Sequence, residues 1–313
     1  MGDRLKGRCA VVTGAGRGIG RAIALAFAAE GANVVVNDAG VGPDGVGFDQ
    51  GPADQVVQEI RSQGGNAVAN YDNVASVEGG ENIIRQCVET FGRIDILVNN
   101  AGIVRPRMIF NMTEEEWDAV IAVHLKGAYN CTKPASVLMR QQRFGRIINV
   151  SSLVGLSGMS GQANYGAAKA GLAGFTRVVA RDLGRYGVTC NAIAPVALTT
   201  RLGSQAVQDE RLLRQIGVVK EEAERYTPEH IAPLVVYLAS DDAWDVNGKI
   251  FHVGGGYISL ASEEIPLREM TKSGGDTEWT VDELIHLVPN LLTFDLVNPA
   301  PPPPDLKVPG RDV

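Results

Sequence analysis

CAVVTGAGRGIG, residues 9–20, decides the fold. Its first four residues are apolar and read as a short strand, 9–12. A glycine-rich turn follows at once, and from Ile19 a helical apolar pattern runs to about Glu30-Gly31. Glycines let a backbone approach a pyrophosphate. The helix N-terminus beyond them offers free N–H groups and a positive dipole end. The glycines stand at Gly14, Gly18 and Gly20, a G-x-x-x-G-x-G spacing; the commoner G-x-G-x-x-G is broken by Ile19. A tight strand-to-helix turn with no ligand is the competing reading of this loop taken alone.

Outward from this unit the same alternation repeats. Further strands are predicted at 33–36, 67–70, 94–98, 146–150, 188–192 and 249–253. Most are continuous apolar runs, as expected of strands covered on both faces. Helical patterns lie between them. One opens with Thr113-Glu-Glu-Glu116, where Thr113 and Glu116 can form a capping box. One spans about 163–185, and one opens at Thr227-Pro228. The pattern predicts an α/β fold, a doubly wound parallel sheet of Rossmann type. Residues 1–257 read as one dinucleotide-binding domain, with a substrate flap over about 198–226. Residues 258–313 read as a C-terminal extension beyond the last strand. Within it, Thr280-Val-Asp-Glu283 opens a short helix to about Thr293, and a proline-rich tail begins near Pro301. Residues 39–52 form a glycine-rich loop that is long for a βα connection.

Composition removes several function classes. The 313 residues carry a formal charge of −7, so no positive field draws a nucleic acid. Four cysteines (Cys9, Cys87, Cys131, Cys190) form no C-x-x-C pair, and four histidines are scattered. Reduced thiols without a metal are expected. No segment approaches the roughly 18 apolar residues of a membrane span. The N-terminal apolar run is too short for a signal peptide, and the terminal Arg311-Asp-Val313 is not the peroxisomal tripeptide, so cytoplasm is the expected address.

In open parallel sheets ligands sit outside the carboxyl ends of the strands. Asp38 follows the second strand, 18 residues past Gly20, where an acidic side chain grips a ribose 2′-hydroxyl. Its charge opposes a 2′-phosphate, which favours NAD over NADP. Arg17 argues the other way. Asp72 and Asn73 follow the third strand. Asn99, Ala101 and Gly102 belong to the Asn-Asn-Ala-Gly turn after the fourth. Pro195 and Thr199 lie after the sixth and could close over a cofactor's nicotinamide end.

Ser152 follows the fifth strand, and Tyr165 and Lys169 come later on one helix face. The trio suits hydride transfer to or from a carbonyl, because a proton must travel with the hydride. A phenol with a free pKa near ~10 is a weak base at neutral pH. A lysine ammonium one turn away favours the phenolate, and a serine hydroxyl can hold the substrate oxygen. Tyr-x-x-x-Lys alone is a frequent chance pattern.

Together, TGAGRGIG at 13–20, NNAG at 99–102, Ser152 and Tyr165-Gly-Ala-Ala-Lys169 resemble the short-chain dehydrogenase/reductase family over about residues 5–257. The resemblance implies Tyr165 as general acid/base, Lys169 as its partner and a hold on the nicotinamide ribose, and Ser152 as the group positioning the carbonyl. It implies cofactor contacts from Gly14, Gly18, Ile19, Asp38, Asp72, Asn99, Gly102 and Thr199. It implies homodimers or homotetramers paired through the helices that hold His124 and Tyr165. Two departures stand out. Val123-His124-Leu125-Lys126-Gly127 carries histidine where the family usually has asparagine, so His124 could relay protons or merely pack. Val196 follows Pro195 where the family has glycine. VVVNDAG, the long loop after it, VHLKG and GQANY also look like the dehydrogenase part of the multifunctional β-oxidation enzymes. That narrower likeness implies an acyl thioester substrate, a 3-hydroxyacyl-CoA oxidised with NAD. Another carbonyl (a 3-oxoacyl carrier protein, a steroid or a cyclic alcohol) and a non-catalytic nucleotide-binding scaffold are the alternatives.

Overall fold

The computed structural model describes residues 2–200, 213, 218–262, 266–272 and 278–295. Most of the expected flap and the proline-rich tail lie outside these residues. Two compact units are present, Met1–Ala261 and Ser262–Val313.

In chain order the first unit runs β1 (Cys9–Thr13), α1 (Gly18–Ala29), β2 (Asn33–Asn37), α2 (Gly51–Ser62), β3 (Asn66–Asn70), α3 (Val77–Phe91) and β4 (Ile96–Asn99). It continues through α4 (Glu114–Ile121), α5 (Gly127–Gln142), β5 (Gly145–Val150), α6 (Leu153–Ser157), α7 (Ala163–Leu183) and β6 (Val188–Pro195). It closes with α8 (Ala232–Ala239), β7 (Ile250–Gly254) and β8 (Tyr257–Leu260). The strands form one sheet in the order β3-β2-β1-β4-β5-β6-β7-β8. All neighbours are parallel except β7 and β8, so the fold is a doubly wound, Rossmann-like α/β sheet.

The apolar runs behave as parallel strands should. Val12, Val34 and Val36 face one core with Ile23 and Phe27 of α1, Val56 and Ile60 of α2 and Leu238 of α8. Val11, Val35 and Leu97 face the other with Ile83 and Ile84 of α3, Met139 of α5 and Leu183 of α7. Alternate residues of one strand thus supply both layers. Phe27 is fully buried; its truncation to alanine costs about 3–5 kcal/mol.

Three details depart from the sequence reading. The sheet does not end with the seventh strand. Tyr257–Leu260 turns back antiparallel on β7 through the positive-φ pair Gly255 and Gly256. Its side chains are largely exposed, which hid it from a search for apolar runs. Thr227-Pro228 opens only a 3-10 turn, Pro228–His230, before α8 begins at Ala232. Between α4 and α5, residues Ala122–Lys126 form a single π turn. Thr113 and Glu116 do form the expected capping box at the start of α4. In the second unit, Thr280 and Glu283 cap α9 (Val281–Leu287) in the same way.

The strand order reverses between β1 and β4. That is the place where such sheets open a ligand crevice at their carboxyl edge.

Candidate active site

The glycine loop is built around two left-handed residues, Gly14 (φ 63°) and Gly18 (φ 52°). A side chain at either would be strained. At Gly14 it would also lie 2.7 Å from the Ala101 Cα, and at Gly20 it would collide with the Gly14 carbonyl. The loop therefore folds against itself and against the turn after β4. Asn100 ties the two together. Its Nδ2 donates to the carbonyls of Thr13 (2.9 Å) and Gly14 (3.0 Å). The Thr13 hydroxyl accepts from the Asn100 and Ala101 amides. No side chain caps the N-terminus of α1, so its first amides stay open to a ligand.

Asp38 leaves the end of β2 and accepts from the Gly16 amide (2.8 Å) and the Gly40 amide (2.7 Å). Each carboxylate oxygen keeps a lone pair for a further donor. Arg17 faces the Asp49 carboxylate at 3.9 Å. Asp72 accepts from Asn70 and Asn82.

These groups line a crevice of about 420 Å³, within the range of a cofactor site. Gly14, Arg17, Gly18, Ile19, Asp38, Asp72, Asn73, Ala101, Gly102 and Pro195 all reach it, as do His124, Ser152, Tyr165 and Lys169. Two expected contacts do not. Asn99 is the last residue of β4 and buries its amide inside the sheet, donating to Thr132 and Asn149. Strand alternation turns it away, and the next residue, Asn100, faces the crevice instead. Thr199 is exposed and Thr200 takes its place in the lining.

In the same crevice, Ser152 caps α6 by accepting from the Val154 amide. Its hydroxyl is close enough to the Tyr165 phenol to favour the phenolate. Asn164 is fully buried and donates to the carbonyls of Arg105 and Glu116, while its Oδ1 accepts from the Tyr165 amide. It pins the start of α7. Lys169 is buried one turn on and donates to the Val150 carbonyl. Its Nζ lies 5.4 Å from the Tyr165 ring centre.

Set against the lowering expected from Lys169, the Tyr165 phenol as a whole lies above its ordinary value. Burial pushes the phenol up, and the Ser152 hydrogen bond only partly offsets this. Burial also pulls Lys169 down to about 7. Desolvation is the leading cause of both shifts.

A family model described as enoyl-(acyl carrier protein) reductase matches residues 14–258. The chain is a short-chain dehydrogenase/reductase. As a member of that family it is an oxidoreductase acting on CH–OH groups, and enzymes of the family use NAD(P)(H). It is 44% identical over 256 residues to the peroxisomal hydratase-dehydrogenase-epimerase of Neurospora crassa, matching 82% of this chain but 27% of that protein. It thus spans about a quarter of that multifunctional relative. It is also 44% identical to a 3-oxoacyl-[acyl-carrier-protein] reductase of Synechocystis, over 81% of this chain and 98% of that one. A crystal structure of a short chain dehydrogenase from Mycobacterium avium superposes with a TM-score of 0.77 at 48% identity. The match covers 92% of this chain and 95% of that one.

The residues of this dehydrogenase/reductase fit a nicotinamide dinucleotide. The cradle at Gly14, Gly18 and Gly20 is one that Cβ atoms would fill or strain, and the uncapped α1 amides suit a pyrophosphate. The sequence reading missed Asn100 and Asn164. Asn100 sat in a quoted motif, but its neighbour drew the assignment. Asn164 immediately precedes Tyr165 and carried no spacing signal of its own. Val41, Gly42 and Gly45 of the long loop also line the crevice. The Pro43 carbonyl accepts from the Val104 amide, which holds the loop there.

Proposed function

We propose that this chain is an NAD-dependent oxidoreductase that interconverts a secondary alcohol and a ketone, with a 3-hydroxyacyl-CoA/3-oxoacyl-CoA pair as substrate. One observation carries the reading: Ser152, Tyr165 and Lys169 line the same crevice as the glycine loop. A nicotinamide bound in this crevice would supply the hydride-transfer chemistry. Ser152 holds the substrate oxygen by a hydrogen bond that strengthens as charge develops. Tyr165 takes the hydroxyl proton during oxidation and returns it during reduction. Lys169, whose proton is loosened by burial, favours the phenolate whenever it carries that proton. Gly14, Gly18, Ile19, Asp38, Asp72 and Ala101 hold the dinucleotide.

NAD is favoured over NADP because the Asp38 carboxylate stands beside Gly16 and repels a 2′-phosphate. Arg17, the residue that would attract that phosphate, faces Asp49. The thioester substrate is supported by the names of two relatives, a hydratase-dehydrogenase-epimerase and a 3-oxoacyl-[acyl-carrier-protein] reductase. The second makes a carrier-protein thioester the alternative. Pairing through α5 and α7 into a homodimer or homotetramer is supported by exposed Tyr129, Val137 and Val178 on those helices. Cytoplasm remains the proposed compartment, in keeping with four buried free thiols.

Tyr165→Phe tests the assignment. It should bind NADH normally by fluorescence titration and lose turnover by about 10²–10⁴-fold. Near-normal turnover would refute the role. Assays of the wild-type protein with CoA and carrier-protein thioesters and with plain ketones decide the substrate class.

A further inference from the structure

We propose that His124 is a positioning residue that clamps the Gly102–Ile103 turn against Tyr165, and that no proton leaves the site through it. The inference rests on the oxidoreductase reading above and deepens it. His124 occupies the π turn between α4 and α5, and only 5% of it is exposed. Single π turns recur where a side chain must be swung into a functional site.

A histidine relay needs two working nitrogens, one to receive a proton and one to release it. Here Nε2 meets only backbone. It lies 3.1 Å from the Ile103 amide nitrogen and 2.7 Å from the Ile103 carbonyl oxygen. A peptide N–H has no lone pair to take a proton, and a peptide carbonyl accepts a hydrogen bond but not a proton near neutral pH. On the other side, Nδ1 is buried and has no hydrogen-bond partner among the described residues. Among the described residues no side chain stands ready to take a proton from the ring. Charging the ring is opposed as well: burial and the Lys169 ammonium hold His124 well below its ordinary value. The titratable groups facing it are Tyr165 and Lys169, both from α7.

What the ring does touch is structural. It meets the Tyr165 ring edge to face, with centroids 5.1 Å apart and planes at 88°. A Cβ on Gly102 would collide with His124 Cε1, so glycine is required there by this ring. Ile103, held by Nε2, is buried in a cluster with Val120 and Ala168, against which Tyr165 packs. The turn that lines the crevice, the imidazole and the phenol thus form one packed unit. One nitrogen serves either the Ile103 N–H or its carbonyl at a given moment. A side-chain amide, carrying both a donor and an acceptor, could serve both.

The test compares His124→Ala, His124→Asn and Gly102→Ala in the full chain. His124→Ala should lower kcat by about 10–100-fold through loss of alignment, with KM for NAD changed less than about threefold. His124→Asn should recover most of that kcat, and added imidazole should not rescue His124→Ala. Gly102→Ala should be slow alone yet cost little more in the His124→Ala background, because the colliding ring is gone. A relay would show the reverse: His124→Asn as slow as His124→Ala, and rescue proportional to free imidazole base. Either result overturns the proposal, and so do fully additive losses in the Gly102/His124 pair. Nitrogen NMR of labelled histidine reads the clamp without any substrate: a neutral ring at pH 7 with Nε2 hydrogen-bonded is expected, and a protonated ring refutes it. If the wild type oxidises no alcohol, the functional reading fails while the NMR and the melting of the Gly102/His124 pair still judge the clamp.

Discussion

Replacing Asn100 with alanine removes the strut between the two turns that form the crevice. The side chain makes two hydrogen bonds, to the carbonyls of Thr13 and Gly14, at 2.9 and 3.0 Å. Each contributes about 1 kcal/mol net. Asn100 is half-buried, so water replaces part of this, and the loss comes to about 1–2 kcal/mol. The bonds from the backbone amides at 100 and 101 to the Thr13 hydroxyl survive, so the fold persists. The cofactor binds only the ordered loop, and the cost of reordering it appears in the affinity. NADH should therefore bind about 5–30-fold more weakly. The melting temperature should fall by roughly 2–8 °C for a unit of this size. Asn100→Asp should be worse, because a carboxylate would face the same two carbonyl oxygens with no proton to offer. Fluorescence titration and a thermal melt read both quantities. An alanine variant with unchanged NADH affinity and unchanged melting temperature would refute the strut.

Lys169→Met should stabilise the protein at pH 7 by more than about 1 kcal/mol while abolishing turnover, because burying the ammonium is costly. The native lysine releases its proton near about 7, whereas the unfolded chain keeps it to roughly 10.4. Between those values the unfolded state binds more protons, so wild-type stability should rise with pH, a slope that Lys169→Met lacks. Urea denaturation at pH 7 and pH 9 checks both statements; parallel curves would contradict them. Asp38→Ala should raise the NADPH-to-NADH ratio of kcat/KM by about tenfold or more, measured with one substrate and both cofactors; an unchanged ratio removes Asp38 as the selector. Light scattering should report a dimer or tetramer, and a charged residue in place of Val178 should dissociate it if α7 forms the contact.

Much of the architecture was legible because it follows from local rules. Apolar runs such as VVV at 34–36 and ILV at 96–98 bury on both faces, and only a parallel sheet offers that. The capping residues Thr113 and Thr280 act within a single turn, so their motifs translate directly into structure. The site was legible where its spacing is intrinsic to one element: Tyr165 and Lys169 share a helix face, and Gly14, Gly18 and Gly20 share one loop. β8 was missed because an edge strand with exposed side chains carries no apolar run. That Asn100 and not Asn99 lines the crevice was not legible, because one step along the chain changes which way a side chain points, and the position where β4 ends is set by its neighbours.

The sequence alone determined which groups are available: a glycine loop, an acid after the second strand, a serine, a tyrosine and a lysine at family spacing. Its periodicities are one-dimensional, and they also determined the alternation that brings those groups to one edge. Only the tertiary structure decided their chemical state. Burial by distant segments raises Tyr165 and brings Lys169 to about 7. The π turn between two helices aims His124 at a peptide group more than twenty residues earlier in the chain. Charge states and cross-chain contacts depend on what surrounds a residue in space, and neighbours in sequence do not reveal that.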